Sequence, residues 1–287
     1  MRCMAGTRSR LIRLAALLLS ALTAASGCFA GVPELREETL RSFREYVARV
    51  ETQNQSNQQS GNFLWLDDLT GDARNAAYTK LKQGGVMTRR MSGAGGEKSG
   101  QIPGGMIHDW EGIVFIPGVK LEQVLGLLQD YNHHATYYAP DVEESRIETH
   151  DGDHFQVFMR FRRHKVVTVV LNTEQDINYF RDSPARAHSR STAIRIREVA
   201  NAGTSSEKEL PPNKDNGFLW QMETWWRMEE RDGGVYVQNE SVTLTRDIPT
   251  GLGWLIEPFV TSIPQETLQF TLGATRKAVL AKAARQP

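Results

Sequence analysis

From Ile107 onward the chain reads as one strand, a short helical pair, about six strands in series and one long amphipathic helix. That order constrains the fold more than any single motif does. Strands that follow one another across tight turns pair antiparallel, and Asp151-Gly152 and Asp232-Gly233-Gly234 carry the tight-turn signals. No helix separates these strands, so the final helix is left to cover one face of the sheet. The expected class is α+β, a curved antiparallel sheet of about seven strands closed by a long C-terminal helix. Such a closure encloses either a packed core or a cavity.

The strands are expected near 107–117, 142–150, 154–163, 166–180, 185–199, 218–231 and 234–246. Helical spacing in Leu121, Val124, Leu125 and Leu128 gives the first member of the helical pair, and 130–141 the second. Gly203 to Gly217 is polar, holds Pro211-Pro212, and is expected as a long exposed loop. Ser262 with Gln265 resembles a capping box that opens the last helix, and Leu268, Leu272, Thr275 and Val279 mark its sheet-facing stripe.

Side chains alternate between the two faces of a strand. Phe155, Val157, Met159 and Phe161 share one face, and so do Trp220, Met222, Thr224, Trp226 and Met228. The opposite face holds Gln156, Phe158, Arg160, Arg162, Gln221, Glu223, Trp225 and Arg227, which suggests that it is wet. The dry face is rich in Trp, Met and Phe. It either packs under the last helix or lines an apolar pocket, in which Met adapts to shape and aromatic rings supply rigid walls. Gly273, Ala274, Ala278 and Ala281 are small where a tight helix–sheet contact would take Leu or Ile.

The segment before this sheet differs in kind. Arg2, Arg8, Arg10 and Arg13 precede an apolar run from Leu14 to Ala25, and small residues follow to Ala30. This reads as a secretory signal peptide over 1–30, or as a lipoprotein leader with Cys28 acylated. An exported protein is expected, periplasmic or extracellular, or anchored through Cys28. Residues 31–105 form an N-terminal helical extension and linker, and 106–287 the main domain. A helix is expected from about Pro33 to Gln53, then a polar loop to Asn62. Phe63 to Leu66 should dock on the main domain, followed by a short helix over 72–82. The glycine-rich run 92–105 marks the boundary.

Removing the four leader arginines leaves 30 basic against 34 acidic residues. That balance argues against a nucleic-acid partner, which needs a basic stripe. After the leader no stretch is long and apolar enough to span a membrane. With Cys3 and Cys28 gone, no cysteine remains for a disulfide or thiol chemistry.

Several stretches carry a family resemblance: Asp109-Trp110-Glu111-Gly112, Leu128 to Tyr131, Tyr138 to Val142, Ser189 to Glu198, and Arg246 to Pro249 with the closing helix. With the order of elements, they make residues 106–284 similar to the START-like (SRPBCC) superfamily. The resemblance implies the helix-grip fold and binding of a lipid or other hydrophobic molecule between sheet and C-terminal helix. The superfamily also hosts enzymes, so fold alone does not decide.

The polar constellations point less sharply. His150, Asp151, Asp153 and His154 would serve either as metal ligands or simply as a hairpin turn; the turn is the expected reading, and no metal is assigned. His133 near Tyr137 and Tyr138 is placed at a pocket mouth, as an acid/base or as a gate. No nucleophile elbow, phosphate cradle or dinucleotide motif occurs, so no cofactor and no catalytic residue is assigned. The expected ligand contacts are Trp110, Tyr137, Tyr138, Val157, Met159, Trp220, Met222, Trp226, Leu268 and Leu272. The alternatives are a cyclase- or dehydratase-type enzyme and an envelope protein-interaction module using 31–105 as its arm.

Overall fold

The computed structural model describes residues 35–91, 100–165, 167–247 and 263–285. The leader with Cys28, most of the glycine-rich boundary, the 252–260 turn and Ser262 lie outside these residues.

The elements run α1 (Glu37–Ser60), α2 (Gly71–Lys82), β1 (Met87–Arg90), β2 (Gln101–Ile102), β3 (Gly105–Pro117) and α3 (Leu121–Leu128). Then come α4 (His134–Tyr137), β4 (Val142–Asp151), β5 (His154–His164), β6 (Thr168–Ser183), β7 (Arg186–Ala200) and β8 (Lys208–Glu209). The described chain ends with β9 (Gln221–Arg231), β10 (Gly234–Arg246) and α5 (Ile263–Ala283). One antiparallel sheet runs β1-β3-β10-β9-β7-β6-β5-β4, with the two-residue strands β2 on β3 and β8 on β7. Counting these short strands brings the sheet to ten rather than about seven. Register shifts in β4–β5 and β6–β7 bend it, as bulges do.

α5 lies against the concave face. Its buried stripe is Leu268, Leu272, Thr275 and Val279, the same four residues the spacing marks. The helix seats on Gly112, where an added Cβ would sit 2.7 Å from Leu272 Cδ1 and 3.0 Å from Leu268 Cγ. One end of the concave face is close-packed, with Val114, Ile116, Val124, Leu127, Tyr131, Phe155, Ile177, Met228, Val235 and Val279 in one cluster.

The convex face is not wet at its centre. α1 and α2 cover it, and this corrects the expectation of a solvated second face. Phe43, Tyr46 and Val47 of α1 pack on Ile107, Trp225, Val242 and Leu244. Phe63 to Leu66 pack with Ile113, Phe115 and Tyr236, as expected of an apolar knot without partners of its own. α1 also runs on through the polar stretch 54–60 rather than stopping near Gln53. Asn and Gln are tolerated on a solvated helix face, Asn54 turns to the sheet, and Gly61 at φ 87° ends the helix. β1 was not legible as a strand: its four residues carry no alternation, and pairing with Trp110 to Ile113 decides it.

Beneath α1 lies a buried polar network. Tyr46 donates to Asp109 (2.8 Å), Asn54 to Glu240 (3.0 Å) and Arg89 to Glu111 (2.7 Å). Arg227 lies 3.5 Å from Glu240 and 3.7 Å from Glu111, and hydrogen-bonds Asn54. Glu111 and Glu240 thus share two guanidinium groups, and Asp109 stands beside them with only Tyr46 as a hydrogen-bond partner among the described residues. Burial, then the neighbouring carboxylates, push Glu240 up to about 7 and Asp109 well above the usual range.

Candidate functional site

Strand parity sorts the expected ligand contacts. Val157 and Met159 of β5, Leu268 and Leu272 of α5, and the half-buried Trp110 and Trp226 belong to the cluster on the concave face. Met222 shares the parity of Trp226 on β9 and is half-buried as well. Tyr138 is buried and its hydroxyl pairs with Thr275 of α5 at 3.0 Å. Burial raises its pKa to about 12, so it holds its proton at neutral pH.

Trp220 is a correction. It precedes β9 instead of belonging to it, so the strand alternation does not apply to it. Its amide donates to Leu244, its indole to Asp215 (3.0 Å), and its ring packs with the convex-face cluster under α1. Gly217, at φ 71°, lets the chain turn just before it.

Tyr137 is half-buried at the edge of the cluster, and its hydroxyl donates to Asp130 at 2.6 Å. The same carboxyl takes His133 Nδ1 at 2.7 Å and Lys282 at 3.3 Å. His133 itself is exposed, and this group stands at the C-terminal end of α5. His134 is the buried member of the pair; burial depresses its pKa to about 4 and keeps it neutral. His108 and Asp109 face opposite ways, as alternation requires: His108 Nε2 meets Thr245 at 3.0 Å, and Asp109 meets Tyr46.

The residues around the β4–β5 turn do not converge. His150 contacts the Gly152 carbonyl at 2.7 Å and stacks on Phe155, while His154 pairs with Asp176 at 2.9 Å. Among the described residues no three His, Cys, Asp or Glu side chains gather as metal ligands. An open polar cleft of about 560 Å³ lies elsewhere, between α2 and the β9–β10 turn. Its lining includes Arg74, Tyr78, Lys82 and Arg231, and its Lys82 and Arg231 pair with Asp232 and Asp67. It does not suit an apolar molecule.

The concave face therefore has two regions. One end is filled. Toward the N-terminal half of α5, large half-buried residues, Trp110, Phe161, Met222 and Trp226, stand beside small ones, Gly112, Ser145, Ser189, Ser191, Ala193 and Thr224. A close-packed region fills such positions with interlocking aliphatic side chains; here large half-buried residues alternate with small ones. The serines were missed as site residues because a Ser in a strand signals nothing by itself. Register alone puts them here: Ser189 lies opposite Trp226, and Ser191 opposite Thr224.

No described helix is long and apolar enough to cross a membrane. No family model and no curated protein matches the chain. Solved structures are similar over much of its length. A STAR-related lipid transfer protein fragment from Xanthomonas axonopodis is 18% identical, with a TM-score of 0.46 over 68% of this chain and 94% of that one. Human STARD10 is 10% identical, with a TM-score of 0.46 over 76% and 85%. A Streptomyces aromatase/cyclase is 12% identical, with a TM-score of 0.41 over 62% and 96%. By its element order and sheet topology, the chain has a helix-grip fold, an antiparallel sheet closed by a long C-terminal helix.

Proposed function

We propose that this protein binds a lipid or similar hydrophobic small molecule between the concave face of the sheet and α5. The observation that carries the reading is the pairing of half-buried Trp110, Met222 and Trp226 with a floor of small residues, next to a region of the same face that is tightly filled. The contacts are Trp110, Met159, Met222, Trp226 and Leu268, with Val157 and Leu272 behind them. Tyr137 and Tyr138 stand toward the C-terminal half of α5. Binding draws on apolar burial, about 25 cal/mol per Å². The protein acts in the cell envelope or outside the cell, delivered by the 1–30 leader or held through Cys28.

A cyclase-type reading needs convergent acid/base groups on the concave face. His133 is engaged with Asp130 on the exposed surface instead, so binding without chemistry is the reading favoured. The test is mass spectrometry of the purified protein for retained lipid-like material, with titration of a fluorescent fatty acid. Retained ligand, or saturable uptake that Trp226→Ala weakens, is expected. A protein that retains nothing and takes up no probe refutes the proposal.

A further inference from the structure

The floor of the concave face carries hydrogen-bonding groups that an apolar ligand would leave idle. Thr173 and Gln175 on β6 and Ser189 and Ser191 on β7 are all buried, Ser189 at 1% and Gln175 at 5% exposure. Ser191 Oγ donates to Gln175 Oε1 at 2.8 Å, which fixes the amide with its nitrogen turned away. Among the described residues that nitrogen finds only Thr173 Oγ1 at 3.4 Å and Met159 Sδ at 3.9 Å, both long. Thr173 spends its own hydrogen on the Met159 carbonyl. Ser189 Oγ, and Ser145 Oγ on β4, are buried with no hydrogen-bond partner among the described residues. Leaving a buried hydroxyl unpaired costs stability, so groups held this way point to something that satisfies them.

The patch is neutral. The charged residues of the same face lie at its strand ends and edge: Arg163 is engaged by Asp141 and Thr267, Glu198 by the backbone of Asn216 and Phe218, Arg181 by Glu122, and Glu230 by Lys120 and the Leu121 amide, while Arg90 stands on edge strand β1 opposite Trp110. A carboxylate or phosphate brought onto Gln175, Ser189 and Ser191 would lose its water and meet no cation among the described residues of this floor. A hydroxyl can take a hydrogen from Gln175 Nε2 and give one to Ser189 or Ser191; a carbonyl can take two. We infer that the ligand carries an uncharged hydroxyl or carbonyl group seated on Gln175, Ser189 and Ser191, with its apolar body against Met159 and Trp226. The inference rests on the binding function proposed above and narrows it to neutral amphipathic molecules.

Titration of tryptophan fluorescence with 1-dodecanol, dodecane and laurate at pH 8 tests it. The alcohol should bind about tenfold more tightly than the alkane, the yield of one well-made neutral hydrogen bond. Laurate should bind more weakly than the alcohol. Ser189→Ala should shrink the alcohol–alkane gap to about threefold or less. Ser191→Ala serves the same purpose if the first variant melts early by circular dichroism. Equal affinity for alcohol and alkane, a preference for laurate, or an undiminished gap in both variants overturns the inference and leaves the binding function standing. Binding of none of the three overturns the binding function itself.

Discussion

Glu240→Gln should make the protein less sensitive to alkaline pH. Glu240 is buried beneath α1, where it accepts from Asn54 and shares Arg227 with Glu111. Desolvation first, and the Glu111 carboxylate second, raise its pKa from about 4.5 to about 7. The folded protein therefore keeps this proton through a window in which the unfolded chain releases it. This contribution to stability is fully present below pH 4.5, falls as pH rises, and is lost above pH 7. Between pH 5 and pH 8 the loss amounts to about 2 to 3 kcal/mol, shared with the neighbouring Asp109. Glutamine keeps an acceptor for Asn54 and cannot ionise. Urea unfolding of both proteins, followed by fluorescence at pH 5, 6.5 and 8, reads the difference directly. The variant's stability relative to the parent should rise by about 2 kcal/mol from pH 5 to pH 8. Taking the difference cancels the histidines, which both proteins share. A difference that stays flat, or falls, refutes the account of a carboxylate crowded by burial and like charge.

Other perturbations separate the two faces of the sheet. Trp225→Ala removes the ring that α1 packs on; a loss of about 3 to 5 kcal/mol is expected, with faster amide exchange along α1. Trp226→Ala, one position on and facing the other way, should cost less stability and more ligand affinity, read by melting and by probe titration. Gly112→Val would drive a side chain into Leu268 and Leu272; a loss of about 1 to 3 kcal/mol is expected in urea unfolding. His108 and His134 are both held neutral by burial, with pKa values of about 4. Their contribution is present above pH 6.5 and lost as pH falls toward 4. In the Glu240→Gln background, where the opposing gain from that carboxyl is gone, acid destabilisation should begin at a higher pH than in the parent.

The sheet was legible because alternation and turn chemistry are local. Phe155 to Phe161 and Met222 to Met228 announce their own faces, and Asp-Gly turns announce where the chain reverses. The last helix was legible for the same reason, since its spacing gives the stripe from Leu268 to Val279. What the sequence hid was set by contacts distant in the chain. α1 runs on through 54–60 where Asn54 reaches Glu240, 186 residues away, and Met87 to Arg90 become a strand because β3 offers an edge. Trp220 misled because it has the right parity one residue before the strand that would give parity meaning.

The same limit explains the site. Sequence reading finds tall apolar walls, because Trp and Met stand out against any background. A floor is made by what is missing, and small polar residues such as Ser189 and Ser191 are common in loops, strands and turns alike. Only register distinguishes them: Ala187, Ser189 and Ser191 face Met228, Trp226 and Thr224 across β9, while Arg190 and Thr192 face outward to Glu223. Position on the sheet, and not residue type, puts a serine on the concave face. Parity also keeps the two faces chemically separate. One residue step along β9 takes the chain from Trp226, over a neutral floor, to Arg227, inside a cluster of carboxylates that binds α1 to the sheet. The N-terminal segment is thus held by charge and burial on the convex side, while Gln175, Ser189 and Ser191 make an uncharged floor on the concave side.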